Sequence, residues 1–314
     1  MRIVLNYRHK NERLEGALQE LGHSVAYNLW DIHEICAHGA DAAVFEFKQI
    51  LKEEAKFLNL SHKLKKAGIP RATWCLDMPN IGARRWKLSL LLKANLIDIF
   101  ATHSLQELPG SSAAILYLPN AAWLSRYNMR GLTMDDLRDT DIYTTDVSFI
   151  GNIDSAKHPE HRHRTDFLNA LGELLKKNRI NYRFEDGRFL DFDAQIELIQ
   201  KSKININFGC AADRDGERSW GLPERCYGIP ACGGFLLSDE RLHGRDDFVE
   251  GDEIVMFNSL DECMQKIIYY IKADTERRRI AENAHKRVLN EHTYKHRAEK
   301  LTTMICGLKK YRLN

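Results

Sequence analysis

Two kinds of apolar spacing follow one another along this chain, and their order constrains the fold more than any other feature. Short apolar runs of strand length alternate with longer stretches in which apolar residues recur every three or four positions. This happens in two separate series. In the first, strands are expected at 2–7, 24–29, 41–45, 71–76, 98–102 and 114–118. Between them lie a helix capped by Asn11 and closed by Gly22, with Leu14, Ala17, Leu18 and Leu21 on one face, a long helix at 48–67, and another at 85–94. Residues 41–45 are mostly apolar, as a strand covered on both faces should be. Residues 121–145 are polar without a clear period and mark an expected boundary. The second series has strands at 147–151, 182–185, 204–208, 235–238 and 253–257. Its helices fall at 165–177, 192–202, 223–229, after the capping box Ser259-x-x-Glu262, at 275–290 and at 294–309. Strands alternating with helices give parallel sheets with helices on both faces. The expectation is an α/β chain of two doubly wound, Rossmann-like domains facing a cleft, with ligands held outside the carboxyl ends of the strands.

With 314 residues, two domains of ordinary size fit. A net charge of +2 makes no global case for a nucleic-acid partner. The seven cysteines are odd in number and contain no C-x-x-C pair. That pattern suits reduced thiols in the cytoplasm better than a disulfide framework or a zinc site. No signal peptide opens the sequence and no apolar run reaches spanning length, so a cytoplasmic protein is expected. Arg84-Arg85-Trp86-Lys87, followed by Leu88, Leu90 and Leu91, either touches a membrane surface or packs as an ordinary amphipathic helix. Peripheral contact with the inner face of a membrane therefore stays open.

The most informative stretch runs from Ile204 to Asp239. Ile204, Ile206 and Phe208 alternate with Asn205, Asn207 and Gly209 as a strand. A polar loop follows, then Gly221-Leu222-Pro223-Glu224 at a helix start, where a proline lacks nothing by lacking its N–H. Pro230 and Gly233-Gly234 are expected to end that helix before the next strand, and Gly221, Leu222, Pro223 and Gly233 are counted with Glu224 and Arg225 as candidate donor contacts. A helix start at the carboxyl edge of a strand offers N–H groups to an anion. Arg225 adds a fixed charge suited to phosphate, and Glu224 an acceptor for a sugar or ribose hydroxyl. The alternative is an ordinary βαβ unit with a capped helix.

The sequence resembles the family of the spore-maturation protein CgeB, within the group 1 glycosyltransferases of the GT-B fold. The resemblance rests on Trp74-Cys75-Leu76-Asp77-Met78-Pro79, Tyr117-Leu118-Pro119-Asn120-Ala121, and Asp146-Val147-Ser148-Phe149-Ile150-Gly151. It continues in Ala231-Cys232-Gly233-Gly234-Phe235-Leu236-Leu237-Ser238-Asp239, Glu253-Ile254-Val255-Met256-Phe257 and Glu291-His292-Thr293-Tyr294. It implies an acceptor domain at 1–122, a nucleotide-sugar-binding domain at 123–293, and a last helix at 294–314 crossing back onto the first. It implies a nucleoside diphosphate sugar as donor substrate, no cofactor, and catalysis without a divalent metal. The acceptor would be a hydroxyl of a glycan, a lipid-linked sugar or a protein. One departure stands out. Family members usually carry a Glu, followed by Ala, two residues after the position of Cys226, and that Glu commonly holds the donor ribose. Here Gly228 and Ile229 stand there. Glu224 is the candidate substitute, since Pro223-Glu224-Arg225 also resembles the donor-binding helix start of fucosyltransferases, and Glu217 is the other candidate carboxylate. The departure leaves two further readings open: a non-catalytic nucleotide- or glycan-binding relative, and a GT-B-fold sugar-nucleotide epimerase.

Other candidates come from strand ends. Gly151-Asn152 ends a strand and is either a turn near donor phosphates, as in the resembling enzymes, or a plain tight turn. Arg164 and Arg218 are reserve phosphate ligands. Asp77 follows a core strand and suits either a base for the acceptor hydroxyl or an Asx turn before Pro79. His103, at the end of the next strand, is the second base candidate or an edge histidine. His158, His161 and His163 lack the acidic or thiol partners of a metal shell. Asp191-Phe192-Asp193 and Asp213-Arg214-Asp215 fit the short acidic pattern of metal-dependent transferases, but such pairs are common in turns.

Overall fold

The computed structural model describes residues 1–76, 84–209, 214–215, 218–219 and 221–313. The candidates Asp77 and Glu217 lie outside these, as does the side chain of Arg218. The chain divides into two compact units, 1–119 with 294–314, and 120–293.

The first unit opens with β1 (Arg2–Asn6), α1 (Glu12–Glu20), β2 (Ser24–Tyr27), α2 (Ile32–Ala37) and β3 (Ala42–Glu46). It continues with α3 (Phe47–Lys52), α4 (Glu54–Lys66), β4 (Arg71–Cys75), α5 (Arg84–Lys93), β5 (Ile99–Thr102) and β6 (Ala114–Tyr117). The six strands are parallel in the order β2-β1-β3-β4-β5-β6. β3, β4 and β5 are buried almost throughout, as strands covered on both faces must be. Asn11 caps α1 by accepting from the Leu14 N–H. The helix expected at 48–67 is two helices, broken at Glu53, which closes α3 and precedes α4 with φ −108° and ψ 40°. Arg71 is buried at the start of β4, and Asp98 takes its guanidinium in a two-point pair at 3.0 and 2.7 Å.

The second unit runs β7 (Thr145–Gly151), α6 (Arg162–Lys177), β8 (Tyr182–Asp186), α7 (Phe192–Gln200) and β9 (Ser202–Asn207). After a two-residue antiparallel pair, β10 (Arg214–Asp215) and β11 (Arg218–Ser219), come α8 (Arg225–Ala231), β12 (Leu236–Asp239), α9 (Gly244–Asp247), β13 (Val255–Phe257), α10 (Leu260–Lys272) and α11 (Asp274–Glu291). Its five main strands are parallel in the order β13-β12-β9-β7-β8. Counted along the chain this is the winding of the first sheet over its first five strands. One face packs Phe149, Ile204, Ile206 and Leu237 against α6 and α10, and the other packs Leu236 and Ile199 against α8. Residues 121–145, expected as a boundary, belong to this unit, with Tyr127 and Leu137 buried. Ser259 caps α10 by accepting from the Glu262 N–H.

The last helix, α12 (Tyr294–Leu313), belongs to the first unit and packs along α1. Its first turn is held there by Arg297, whose Nε donates to the Pro119 carbonyl at 3.1 Å, and by the Tyr294 ring, 5.9 Å from that of Trp74. Trp74 in turn donates from Nε1 to the Leu118 carbonyl at 2.9 Å. Among the described residues no helix is long and apolar enough to cross a membrane.

Candidate functional site

In the second unit the strand order reverses between β7 and β9, and ligands of such sheets sit outside the carboxyl ends of strands at that point. β7 ends in Ile150-Gly151, followed by Asn152, and β9 ends in Asn207, followed by Phe208. Arg225, first residue of α8, reaches this edge. Its Nε donates to Asn207 Oδ1 at 2.6 Å and its Nη1 to the Ile150 carbonyl at 3.2 Å, with the guanidinium 5.3 Å from the Phe149 ring centre. Nη2 takes no hydrogen bond among the described residues, and the residue is only half buried. Gly151 is a glycine because a Cβ there would lie 2.4 Å from Arg225 Nη1 and 2.8 Å from the Phe149 ring.

Asn207 is fully buried, and it holds Arg225 because it is itself held. Its Nδ2 donates to Ser238 Oγ and Asp239 Oδ1, both at 2.9 Å. Asp239 also accepts the Gly209 N–H at 3.1 Å and pairs with Arg241 at 3.1 Å. Arg241 is wholly buried and reaches the Gly221 carbonyl at 3.5 Å. These three residues carry much of the site's geometry, and the sequence reading passed over them. The available signal was Asn205 and Asn207 in a strand flanked by helices on both sides. At those two positions the side chains are buried and must find buried partners.

The remaining candidates divide. Arg164 is 4% exposed and spends its guanidinium on main chain, donating from Nε to the Phe208 carbonyl and from Nη1 to the Asn152 carbonyl, both at 2.9 Å. It braces the ends of β7 and β9 rather than facing solvent. Glu224 stands at the start of α8 with Arg126 Nη1 at 4.0 Å, and Pro223 is half buried beside it. The helix start offers less to an anion than expected. α8 has seven residues, and the Cys226 and Tyr227 N–H groups are already taken by the Pro223 and Glu224 carbonyls. Leu222 is a core residue, fully buried, with its carbonyl accepting from Asn120, so its side chain is not a donor contact. Gly233 also falls away from the site. The helix runs through Pro230, and Gly233 closes it at φ +79° with the Gly234 N–H bonded back to the Ile229 carbonyl. That places Gly233 before β12, at the end of the strand opposite Asp239, against Leu137 and Met129.

Gly228 stands where the resemblance implies a Glu, and its surroundings leave no room for one. It is buried in the middle of α8, and a Cβ there would lie 2.7 Å from the Tyr127 ring. The tyrosine fills the space that a side chain at 228 would need. Burial pushes its hydroxyl up to about 12 and the neighbouring Cys226 thiol likewise to about 12, so both stay neutral.

In the first unit, His103 follows β5 and is 3% exposed, which withdraws it from solvent. His158 and His161 flank Pro159 in a single turn before α6. Burial, and then Arg164, hold the His161 imidazole below the ordinary histidine range. Among the described residues no group of three His, Cys, Asp or Glu side chains is placed to hold a metal ion.

Two parallel α/β units, each wound in the same order, define the GT-B class of glycosyltransferase folds. Residues 142–303, just over half of the chain, match the family described as glycosyl transferase-like, and the chain belongs to that family. No curated protein sequence matches it. Among solved structures it is similar to the sucrose-phosphate synthase of Thermosynechococcus elongatus, with a TM-score of 0.66 at 9% identity over 98% of this chain and 99% of that one. It is also similar to a glycosyltransferase of Rickettsia africae, with a TM-score of 0.57 at 14% identity over 98% of each chain. The Anabaena protein HepE, solved with UDP-glucose, gives 0.61 at 10% identity over 98% of this chain and all of that one.

Proposed function

We propose that this protein transfers a sugar from a nucleoside diphosphate donor to a hydroxyl of a glycan, a lipid-linked sugar or a protein, as a CgeB-like member of its family working without a divalent metal in the cytoplasm. The observation that carries the reading is Arg225, fixed by Asn207 and the Ile150 carbonyl at the switch point of the second sheet, with Nη2 unbonded among the described residues. A fixed cation in a partly desolvated edge stabilises the charge that develops on a leaving diphosphate, without reorganising at the moment of bond breaking. Family membership supports the reaction class, and the UDP-glucose named with HepE supports a nucleotide sugar as donor.

For Arg225, Gly151, Asn152 and Glu224 the proposed roles rest on position; for Asp77 and Glu217 they rest on the sequence alone. Arg225 takes a diphosphate oxygen. The Gly151-Asn152 turn, braced by Arg164, lies beside the donor phosphates, and the side chain missing at Gly151 leaves the room that the Arg225 guanidinium occupies. Glu224 accepts from the donor ribose in place of the Glu that Gly228 replaces. Asp77 is the first candidate for accepting the proton of the acceptor hydroxyl, His103, buried after β5, is the second, and Glu217 is the candidate carboxylate on the donor side.

A second reading, binding without turnover, is favoured by one observation. Tyr127 occupies the space next to Gly228, so the usual ribose carboxylate has no room to return. One pair of experiments separates the readings. Melting temperatures measured against a panel of nucleoside diphosphates and their sugars should rise for one base, because a ligand of the native state stabilises it. The selected donor is then incubated with glycan and lipid-linked acceptors and the products are weighed by mass spectrometry. A rise with product is transfer, and a rise without product is binding alone. No shift with any nucleotide rejects both.

A further inference from the structure

We infer that the exposed face of α5 in the first unit is a docking surface for an anionic lipid bilayer. Trp86 is 59% and Leu90 51% exposed, and at four residues apart they share one face of the helix. Leu58 of α4, 45% exposed, joins them along one groove. On the other side Arg85 and Lys93 line a second groove with the same Trp86 and Leu90. The rest of α5 is spent on the core, where Leu88, Leu91 and Leu92 are buried. Its apolar residues therefore point two ways, and only one way is covered by the unit itself.

Charge decides what covers the other. α5 carries Arg84, Arg85, Lys87 and Lys93 and no acidic residue. Lys87 lies beside the Trp86 ring, its Nζ 5.5 Å from the ring centre. Cations on long stems around protruding Trp and Leu side chains match the boundary between acyl chains and anionic headgroups. The acidic residues at the rim are Glu54, paired with Lys87, and Glu107, 3.6 Å from Arg85. The Arg85–Glu107 pair is exposed on both sides, and such pairs give way readily to a competing phosphate. Three protruding side chains fall far short of the roughly 800 Å² per partner that a stable protein interface buries. Shallow insertion into headgroups needs no more than that. Each basic residue near an anionic surface adds to the attraction, so binding should be salt-sensitive.

Sedimentation of the full chain with vesicles tests this independently of any transfer activity. With vesicles of equal parts phosphatidylglycerol and phosphatidylcholine at low salt, the protein should pellet. With phosphatidylcholine alone, or at about 1 M salt, it should stay in solution. The double variant Trp86→Ser with Leu90→Ser should lower the bound fraction about tenfold or more at limiting lipid, because most of the inserted area is gone. Both side chains are exposed, so its melting temperature should match the parent's. Arg85→Glu with Lys93→Glu should bind less while keeping the apolar face. Failure to pellet with the anionic vesicles would overturn the inference, as would equal pelleting on neutral vesicles or unchanged binding by either variant. A parent dimer that the Trp86→Ser, Leu90→Ser variant turns into a monomer would assign the face to a second copy instead.

Discussion

Asn207 and Arg225 meet at 2.6 Å, the side-chain amide oxygen of a fully buried strand residue accepting from the Nε of an arginine at a helix start. The bond ties α8 to β9, and it fixes which edge of the guanidinium stays open. A charged group held this way loses little freedom when it takes a ligand, which is why its removal should be felt in affinity more than in fold.

Arg225→Ala should weaken binding of the preferred nucleoside diphosphate by roughly ten- to a hundredfold, the loss of about 1.5–3 kcal/mol from one charge-assisted contact. Isothermal calorimetry measures it. Unchanged affinity in a folded variant would remove Arg225 from the site.

Asn207→Ala should do two things at once. It leaves Asp239 and Ser238 each short of a buried partner and should cost about 1–3 kcal/mol of stability by denaturant titration. It also frees Arg225 from its strand, so diphosphate affinity should fall although Asn207 need not touch the ligand. Lost stability with affinity intact would mean that Arg225 does not depend on this brace.

Gly228→Ala should cost about 1–3 kcal/mol through overpacking against Tyr127. In a Tyr127→Leu background the same change should cost less, and the difference between the two is the coupling between the residues. Equal costs in both backgrounds would show that the ring is not what excludes a side chain at 228.

The pH dependence has a definite sign. The His161 imidazole is held below its ordinary value in the native protein, mainly by burial, so the unfolded chain binds the proton more readily. Its stabilising contribution is complete above the unfolded value of about 6.5 and is lost as pH falls through the lower native value. Melting temperature should drop below about pH 6.5, and His161→Gln should flatten that part of the curve. A variant as pH-sensitive as the parent would place the effect elsewhere, with His23 and His296, also shifted down mainly by burial, the next to test.

Transfer activity should survive chelation by EDTA at undiminished rate. Activity lost on chelation and restored by a divalent ion would contradict metal-independent catalysis.

The sequence made much of this structure legible because parallel sheets write themselves plainly. Strands covered on both faces leave apolar runs, and caps such as Asn11 and Ser259 mark helix starts. The break at Glu53 stayed hidden for a physical reason. Phe47, Ile50, Phe57, Leu60 and Leu64 keep helical spacing across it, so periodicity sees one helix where there are two. α2, six residues long behind its Asp31 cap, is too short to show a period. At the site, the residues at strand and helix ends were found because position alone singles them out. Asn207, Asp239 and Arg241 were missed because their partnership joins the ends of two neighbouring strands, and local spacing does not show which buried groups will meet. Leu222 and Gly233 were gathered in by nearness in sequence, although one belongs to the core and the other to the far end of α8.

The placement of α12 bears on how the molecule is made. The second unit is one uninterrupted piece of chain, so everything it needs to fold has been synthesised once Thr293 is added. The first unit is built from two pieces, with the whole of the second unit between them in sequence. Its opening residues leave the ribosome first, yet α1 waits for the helix that covers it, and Pro119 waits for Arg297. Of the two units, the one begun earlier is therefore completed later, and a chain stopped at Thr293 would carry a finished second unit and an unfinished first.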